Sequence, residues 1–182
     1  YRKSFPPISS WLILEDYNCD GKQDIFTYSS AGISVYKNTS VNLLSFSLSS
    51  PLLINSLSGL NIYVSPVDLP AISDIDNDGD LDILTFDING GFVHYFKNMS
   101  MENHYNCDSL EYAHNNGCWG NFYEGLNTYI LDCFNCLCPP ITIGTSSRYG
   151  KHAGSTLIAM DVDGDMDKDL ILGDVSYTNL NL

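Results

Sequence analysis

The nine residues from Asp74 to Asp82, DIDNDGDLD, constrain this chain more than any other stretch, because they place an oxygen-bearing side chain at every second position across a glycine. Carboxylates set that close repel one another unless a cation sits among them. Numbered as a cation loop, Asp74, Asp76 and Asp78 hold positions 1, 3 and 5, and Gly79 supplies the turn at position 6. A backbone carbonyl can serve at position 7, and Asp82 closes at position 9. Ca²⁺ takes about six to eight oxygen ligands in a flexible shell, which is the chemistry this spacing offers.

The pattern recurs twice. DYNCDGKQD repeats it with Asp16, Asn18, Asp20, Gly21 and Asp24, and DVDGDMDKD repeats it with Asp161, Asp163, Asp165 and Asp169. In the third copy Met166 stands at position 6 and Gly164 falls two residues earlier, which predicts a turn built differently from the other two. An EF-hand is excluded, since that motif ends in a bidentate Glu at position 12 inside a helix. Position 12 here is Thr27, Thr85 or Leu172, and each loop runs into a β-branched or aromatic run such as Ile25-Phe26-Thr27-Tyr28 or Ile83-Leu84-Thr85-Phe86. The expectation is about three Ca²⁺ sites, each a metal-loaded turn that feeds a strand.

The charge balance agrees with bound cations. The formal net charge is −14, and 13 of the 22 acidic residues lie inside the three loops, so three Ca²⁺ ions would bring the total to about −8. With eight Lys and Arg residues in all, the chain lacks the basic surface that nucleic acids or anionic membranes require. No apolar run approaches the roughly 20 residues of a membrane-spanning helix. The start, YRKSFPPISS, has neither an initiator Met nor a signal-peptide core, and reads as part of a mature or longer polypeptide.

Six cysteines are present, five of them between Cys107 and Cys138. Two chemistries fit: disulfides that staple an irregular segment, or zinc held by Cys133, Cys136 and Cys138 with Cys118 or His114. Calcium loops of modest affinity suit an extracellular, oxidising compartment, which favours disulfides.

Taken in order, residues 1–60 read as a first unit in which strands flank the loop and a Ser29–Gly32 turn returns the chain through Ile33, Val35 and Tyr36 to Lys37-Asn38. Residues 61–98 copy it, closing at Lys97-Asn98. Between the two loops, Leu43, Leu44, Phe46 and Leu48, then Leu60, Ile62 and Val64, predict one or two outer strands. Residues 99–150 form a cysteine-rich insertion with a Cys138-Pro139-Pro140 turn, and 151–182 form a third unit that stops near where a closing strand should run.

The strand, acidic loop, strand, turn, strand unit resembles the FG-GAP/VCBS repeat family, whose members form blades of integrin-alpha-like β-propellers. The resemblance covers about residues 11–38, 70–98 and 153–182, and HAGSTLIAMDVDGDMDKDLILGDVSYTNL is similar to exported VCBS-repeat proteins of Bacteroidota-type bacteria. It implies an all-β fold, blades of a calcium-binding β-propeller forming an incomplete ring, with Ca²⁺ on Asp16, Asn18, Asp20 and Asp24, on Asp74, Asp76, Asp78 and Asp82, and on Asp161, Asp163, Asp165 and Asp169. Loop starts lie 58 and then 87 residues apart, and three units fall short of the roughly four to eight blades of a closed ring. The rest of a parent propeller is therefore an expected partner.

No serine-histidine-acid set, P-loop or dinucleotide glycine pattern is present. The expected function is a calcium-stabilised binding or adhesion scaffold, secreted or on a cell surface, whose partner is an extracellular protein or glycan. Two rivals stand beside it: the propeller part of a secreted polysaccharide-degrading enzyme, with Trp119, Tyr123 and Tyr129 stacking on sugars, and a passive spacer.

Overall fold

Each acidic loop launches a strand whose residues are apolar on both faces, and the fold follows from burying both. The structure is a computed structural model and describes residues 5–30, 32–125, 128–138, 155–174 and 180–181. The Pro139-Pro140 turn expected from the sequence lies outside the described residues.

The first sheet is an antiparallel meander of β1 (Leu12–Glu15), β2 (Asp24–Ser29), β3 (Gly32–Asn38) and β4 (Phe46–Ser50). The second repeats it with β5 (Ala71–Ser73), β6 (Asp82–Phe86), β7 (Val93–Asn98) and β8 (Tyr112–Asn116). The two correspond in detail. Ile25 faces Tyr36 as Ile83 faces Phe96, and the outer pairing slips by a bulge between Val35 and Tyr36 in one sheet and Tyr95 and Phe96 in the other. A third sheet holds β11 (Ser155–Met160), β12 (Asp169–Asp174) and β13 (Leu180–Asn181). A one-turn helix α1 (Ser100–His104) lies between β7 and β8 within the second sheet, and a small hairpin of β9 (Tyr123–Gly125) and β10 (Thr128–Ile130) comes between the second and third.

The second sheet is sandwiched. Ile72, Ile83 and Phe96 pack against Trp11, Phe26, Ile33 and Val35 of the first sheet. Their neighbours Ala71, Leu84, Phe86, Val93 and Tyr95 pack against Leu157, Ala159 and Leu172 of the third. Successive side chains on a strand point to opposite faces, so a sheet covered on both sides needs β6 to be apolar without alternation, and it is buried from end to end. Filling both faces makes each side chain costly to lose: Leu84→Ala should cost about 2 to 5 kcal/mol. The inner strands approach one another, with Leu157 donating to the Leu69 carbonyl at 2.9 Å, and Ile13, Glu15, Ile72, Ile158 and Ala159 lining a shared gap.

Two expectations about the connections change. The stretch with Leu60, Ile62 and Val64 is not an outer strand: Ile62 and Val64 are fully buried coil, tied by Ile62 N–H to the Leu53 carbonyl at 3.0 Å. The apolar spacing that imitates a strand serves packing beneath the first sheet. The second sheet takes its outer strand β8 from inside the 99–150 segment, because α1 carries the chain across loop 2 before it returns to pair with β7. That segment is stapled by disulfides Cys118–Cys136 and Cys133–Cys138, while Cys107 reaches back to Cys19 in the first loop. Zinc is thereby displaced, since every sulfur is paired with another.

Candidate metal centres

The three acidic loops sit at the same corner of each sheet, between its first and second strands, and share a hydrogen-bonded frame. The position 1 carboxylate caps the turn with both oxygens. Asp16 accepts from Asp20 and Gly21 N–H at 3.2 and 2.7 Å, and Asp74 accepts from Asp78 and Gly79 N–H at 3.1 Å each. Asp161 does the same for Gly164 and Met166 at 2.6 and 3.1 Å. Positions 4 and 6 turn through the left-handed region in all three copies: Cys19 and Gly21 (φ 55° and 81°), Asn77 and Gly79 (61° and 101°), Gly164 and Met166 (85° and 78°). The third turn shares these left-handed positions, with its glycine moved to position 4 and Met166 left-handed at position 6, but it is built differently in its capping: Asp161 accepts from positions 4 and 6, where Asp16 and Asp74 accept from positions 5 and 6.

Position 9 is a clasp. Asp24, fully buried, accepts from Tyr17 N–H at 3.2 Å and from Asn38 N–H at 2.7 Å, joining the loop to the end of β3. Asp82, also fully buried, accepts from Ile75 N–H at 2.9 Å, Asn98 N–H at 2.8 Å and Tyr95 O–H at 3.1 Å. Asp169 accepts from Val162 N–H at 2.9 Å in a more open setting. Burial pushes the Asp82 carboxyl up to about 7; the amides of Asn98 and Ile75 oppose the rise, and Asp76 and Asp80 add to it by repulsion. Burial likewise raises Asp24, against the amides of Asn38 and Tyr17.

The expected ligands come together in part. In loop 2, carboxylate oxygens of Asp74, Asp76 and Asp78 lie within 4.8 Å of one another, and in loop 3 those of Asp161, Asp163 and Asp169 do so. Asp82 and Asp165 stand outside these groups; Asp165 instead accepts from Asp167 N–H at 3.0 Å. Loop 1 substitutes Asn18, whose Nδ2 donates to Asp24 at 2.8 Å while its Oδ1 is buried with no hydrogen-bond partner. Such an orphaned amide oxygen is an acceptor that a cation would satisfy, although among the described residues the loop 1 carboxylates form no close group of three like those of loops 2 and 3. The donor sets are all oxygen, so they fit a hard divalent ion and not a thiophilic one.

Three residues around loop 2 escape the sequence reading. Lys97 Nζ contacts Asp76 and Glu102 and lies 3.1 Å from Asp78. Burial lowers the affinity of that amine for its proton, but the carboxylates outweigh it and hold Lys97 above its ordinary range. Asp80 is almost fully buried, its Oδ2 accepting from Met101 N–H at 2.9 Å; burial pushes its carboxyl up to about 6, the Met101 amide opposing and Asp78, Glu102 and Asp76 adding to the rise. The repeated Lys-Asn pair at 37–38 and 97–98 was the available signal for Lys97 and for the clasp, whereas Glu102 lies on α1 at no motif spacing. Of the aromatics, Trp119 and Tyr129 line a groove of about 500 Å³ with Phe122, Leu131 and Lys168. Tyr123 packs edge-on against Phe92, over Gly91.

Fold and loops together define a class: antiparallel sheets stacked face to face, each opened by an acidic turn at one corner. Residues 16–85, from the first residue of loop 1 to position 12 of loop 2, match the FG-GAP-like repeat family. No curated protein and no solved structure matches the chain.

Proposed function

We propose that the chain is part of a calcium-stabilised β-propeller, secreted or on a cell surface, that serves as a binding or adhesion scaffold for an extracellular protein or glycan. The observation that carries this reading is the recurrence of one acidic turn, with one hydrogen-bonded frame, at the same corner of three stacked sheets. A cation at each corner would cancel repulsion within the turn and stiffen the strand that leaves it. Three sheets are fewer than a ring needs, so further blades complete the propeller. Three disulfides suit an oxidising compartment, and among the described residues no helix is long and apolar enough to cross a membrane.

Binding is favoured over catalysis by what the polar groups of the 99–150 segment do. His104 pairs with Glu111 on the surface at 3.2 Å, and Glu124 is fully buried, accepting from Ser155 Oγ at 2.8 Å. The groove lined by Trp119 and Tyr129 is the surface we assign to a glycan, since aromatic faces and a nearby Lys168 suit sugar rings. Calorimetric melting with and without Ca²⁺ tests the metal half of the proposal: a rise of several degrees in millimolar Ca²⁺ is expected, and an unchanged melt sinks it. A glycan array probed in Ca²⁺ tests the other half, with binding lost in Trp119→Ala.

A further inference from the structure

Loop 2 differs from its two counterparts at position 7, where Lys22 stands in loop 1 and Asp167, fully exposed, in loop 3, but Asp80 in loop 2 is only 1% exposed. Its Oδ1 is buried and has no hydrogen-bond partner, while Oδ2 is taken by Met101 N–H. Carboxylate oxygens of Asp78, Asp80 and Glu102 lie within 4.8 Å of one another, a second group that shares Asp78 with the first. A buried carboxylate oxygen without a donor is costly, and one beside two further carboxylates more so.

Lys97 does not resolve this. Its ammonium contacts Asp76, Asp78 and Glu102, but not Asp80. Asp74, Asp76, Asp78, Asp80 and Glu102 set against one ammonium leave an excess that one divalent ion would halve and two would cancel.

We propose that loop 2 holds a second hard divalent cation on Asp78, Asp80 and Glu102, beside the ion expected on Asp74, Asp76 and Asp78. The site lies outside the repeated ligand pattern, because Asp80 contributes a side chain where the pattern uses a carbonyl, and Glu102 comes from α1. Asp78 bridges the two ions. The helix then becomes part of the metal centre, which gives a physical reason for the chain to cross loop 2 between β7 and β8.

The test is ion stoichiometry on the full chain, freed of metal and dialysed to equilibrium against labelled Ca²⁺, with a parallel series in Mg²⁺. Glu102→Gln and Asp80→Asn are each expected to bind one ion fewer than the parent. Glu102→Gln changes an exposed side chain, so it keeps the test valid if Asp80→Asn folds poorly; Asp80→Asn retains an acceptor for Met101 N–H. Parental stoichiometry and affinity in Glu102→Gln would overturn the proposal. Asp74→Asn separates it from the loop reading: loss of an ion there with none lost in Glu102→Gln rejects the second site alone, and the reverse rejects the loop ion while the second site stands.

Discussion

Loops 2 and 3 share one backbone frame and differ in almost everything that surrounds it. Asp82 is fully buried and clasped by Ile75, Asn98 and Tyr95, and Lys97 and α1 cover the carboxylates. In loop 3, positions 2 to 7 are exposed, and the one lysine in the turn, Lys168, sends its Nζ to Asn77 Oδ1 at 2.9 Å instead of to its own carboxylates. The Asp167 carboxyl, sharing a hydrogen bond with Asp165, is raised by that contact and its repulsion. The frame therefore comes from local amides, whereas neutralisation comes from neighbours. Loop 2 carries part of its counter-charge built in; loop 3 has no ammonium on its own carboxylates among the described residues.

The largest effect should come from cutting the covalent tie on the loop 2 side. Cys19–Cys107 joins loop 1 to the segment just after α1 across 88 residues, and closing a loop of that length restricts the unfolded chain by about 4.6 kcal/mol. The double variant Cys19→Ser with Cys107→Ser is expected to lose about that much in denaturant unfolding. A loss below about 1 kcal/mol would mean the two corners are held by packing alone. Loop 3 has no such staple among the described residues; Asn77 of loop 2 instead hydrogen-bonds to the Met166 carbonyl and to Lys168 Nζ.

Next come the clasps. Asp82→Ala strips an acceptor from two buried amides and a tyrosine hydroxyl, and should cost about 3 kcal/mol in calcium-free buffer as well as in Ca²⁺. Asp169→Ala removes one acceptor in an open setting and should cost about 1 kcal/mol without calcium, with a larger loss in Ca²⁺ because Asp169 belongs to the close carboxylate group. Equal calcium dependence of the two variants would break the distinction between clasp and ligand.

Much of this was legible in the residues. The alternating oxygens, the glycine at position 6 and the apolar runs after each loop identify the turns, the strands they launch and an all-β fold, because each is a local rule. What was not legible depends on distance. Ile62 and Val64 carry a strand-like spacing that burial beneath a sheet also produces, and nothing in the loop shows that Asp82 also accepts from Asn98 N–H at the end of the returning strand. Glu102 has no spacing that marks it; only the path of α1 over loop 2 brings its carboxylate near Asp80. Met166 shows the converse, a residue whose type argues against a left-handed turn that the frame nevertheless imposes.

The pH dependence of the calcium-free protein should also report on the buried carboxylates of loop 2. The folded pKa of Asp82, about 7, lies above its ordinary value of 3.8, and Asp80 is raised to about 6. A raised folded pKa means the native state binds the proton more tightly, so stability is fully present below 3.8 and is lost as pH rises through about 7. Melting temperature without calcium should accordingly fall between pH 5 and pH 8, and Asp82→Asn should flatten that slope. With Ca²⁺ bound the trend reverses, since protons then compete with the ion.

The smallest effect concerns the frame itself. Met166 sits at φ 78°, where a Cβ crowds the neighbouring carbonyl, while Gly79 reaches 101° at the same position without that crowding. Met166 is exposed, so little packing is lost on removing its side chain. Met166→Gly should stabilise the protein by about 0.5 to 1 kcal/mol, the relief of left-handed strain exceeding the added freedom of the unfolded chain. Gly79→Ala in loop 2 should destabilise by a similar amount, since nothing within 4 Å would clash and the backbone conformation alone opposes the new Cβ. If both substitutions are neutral, the left-handed turn is not strained in either loop, and the difference between the two lies wholly in their charged surroundings.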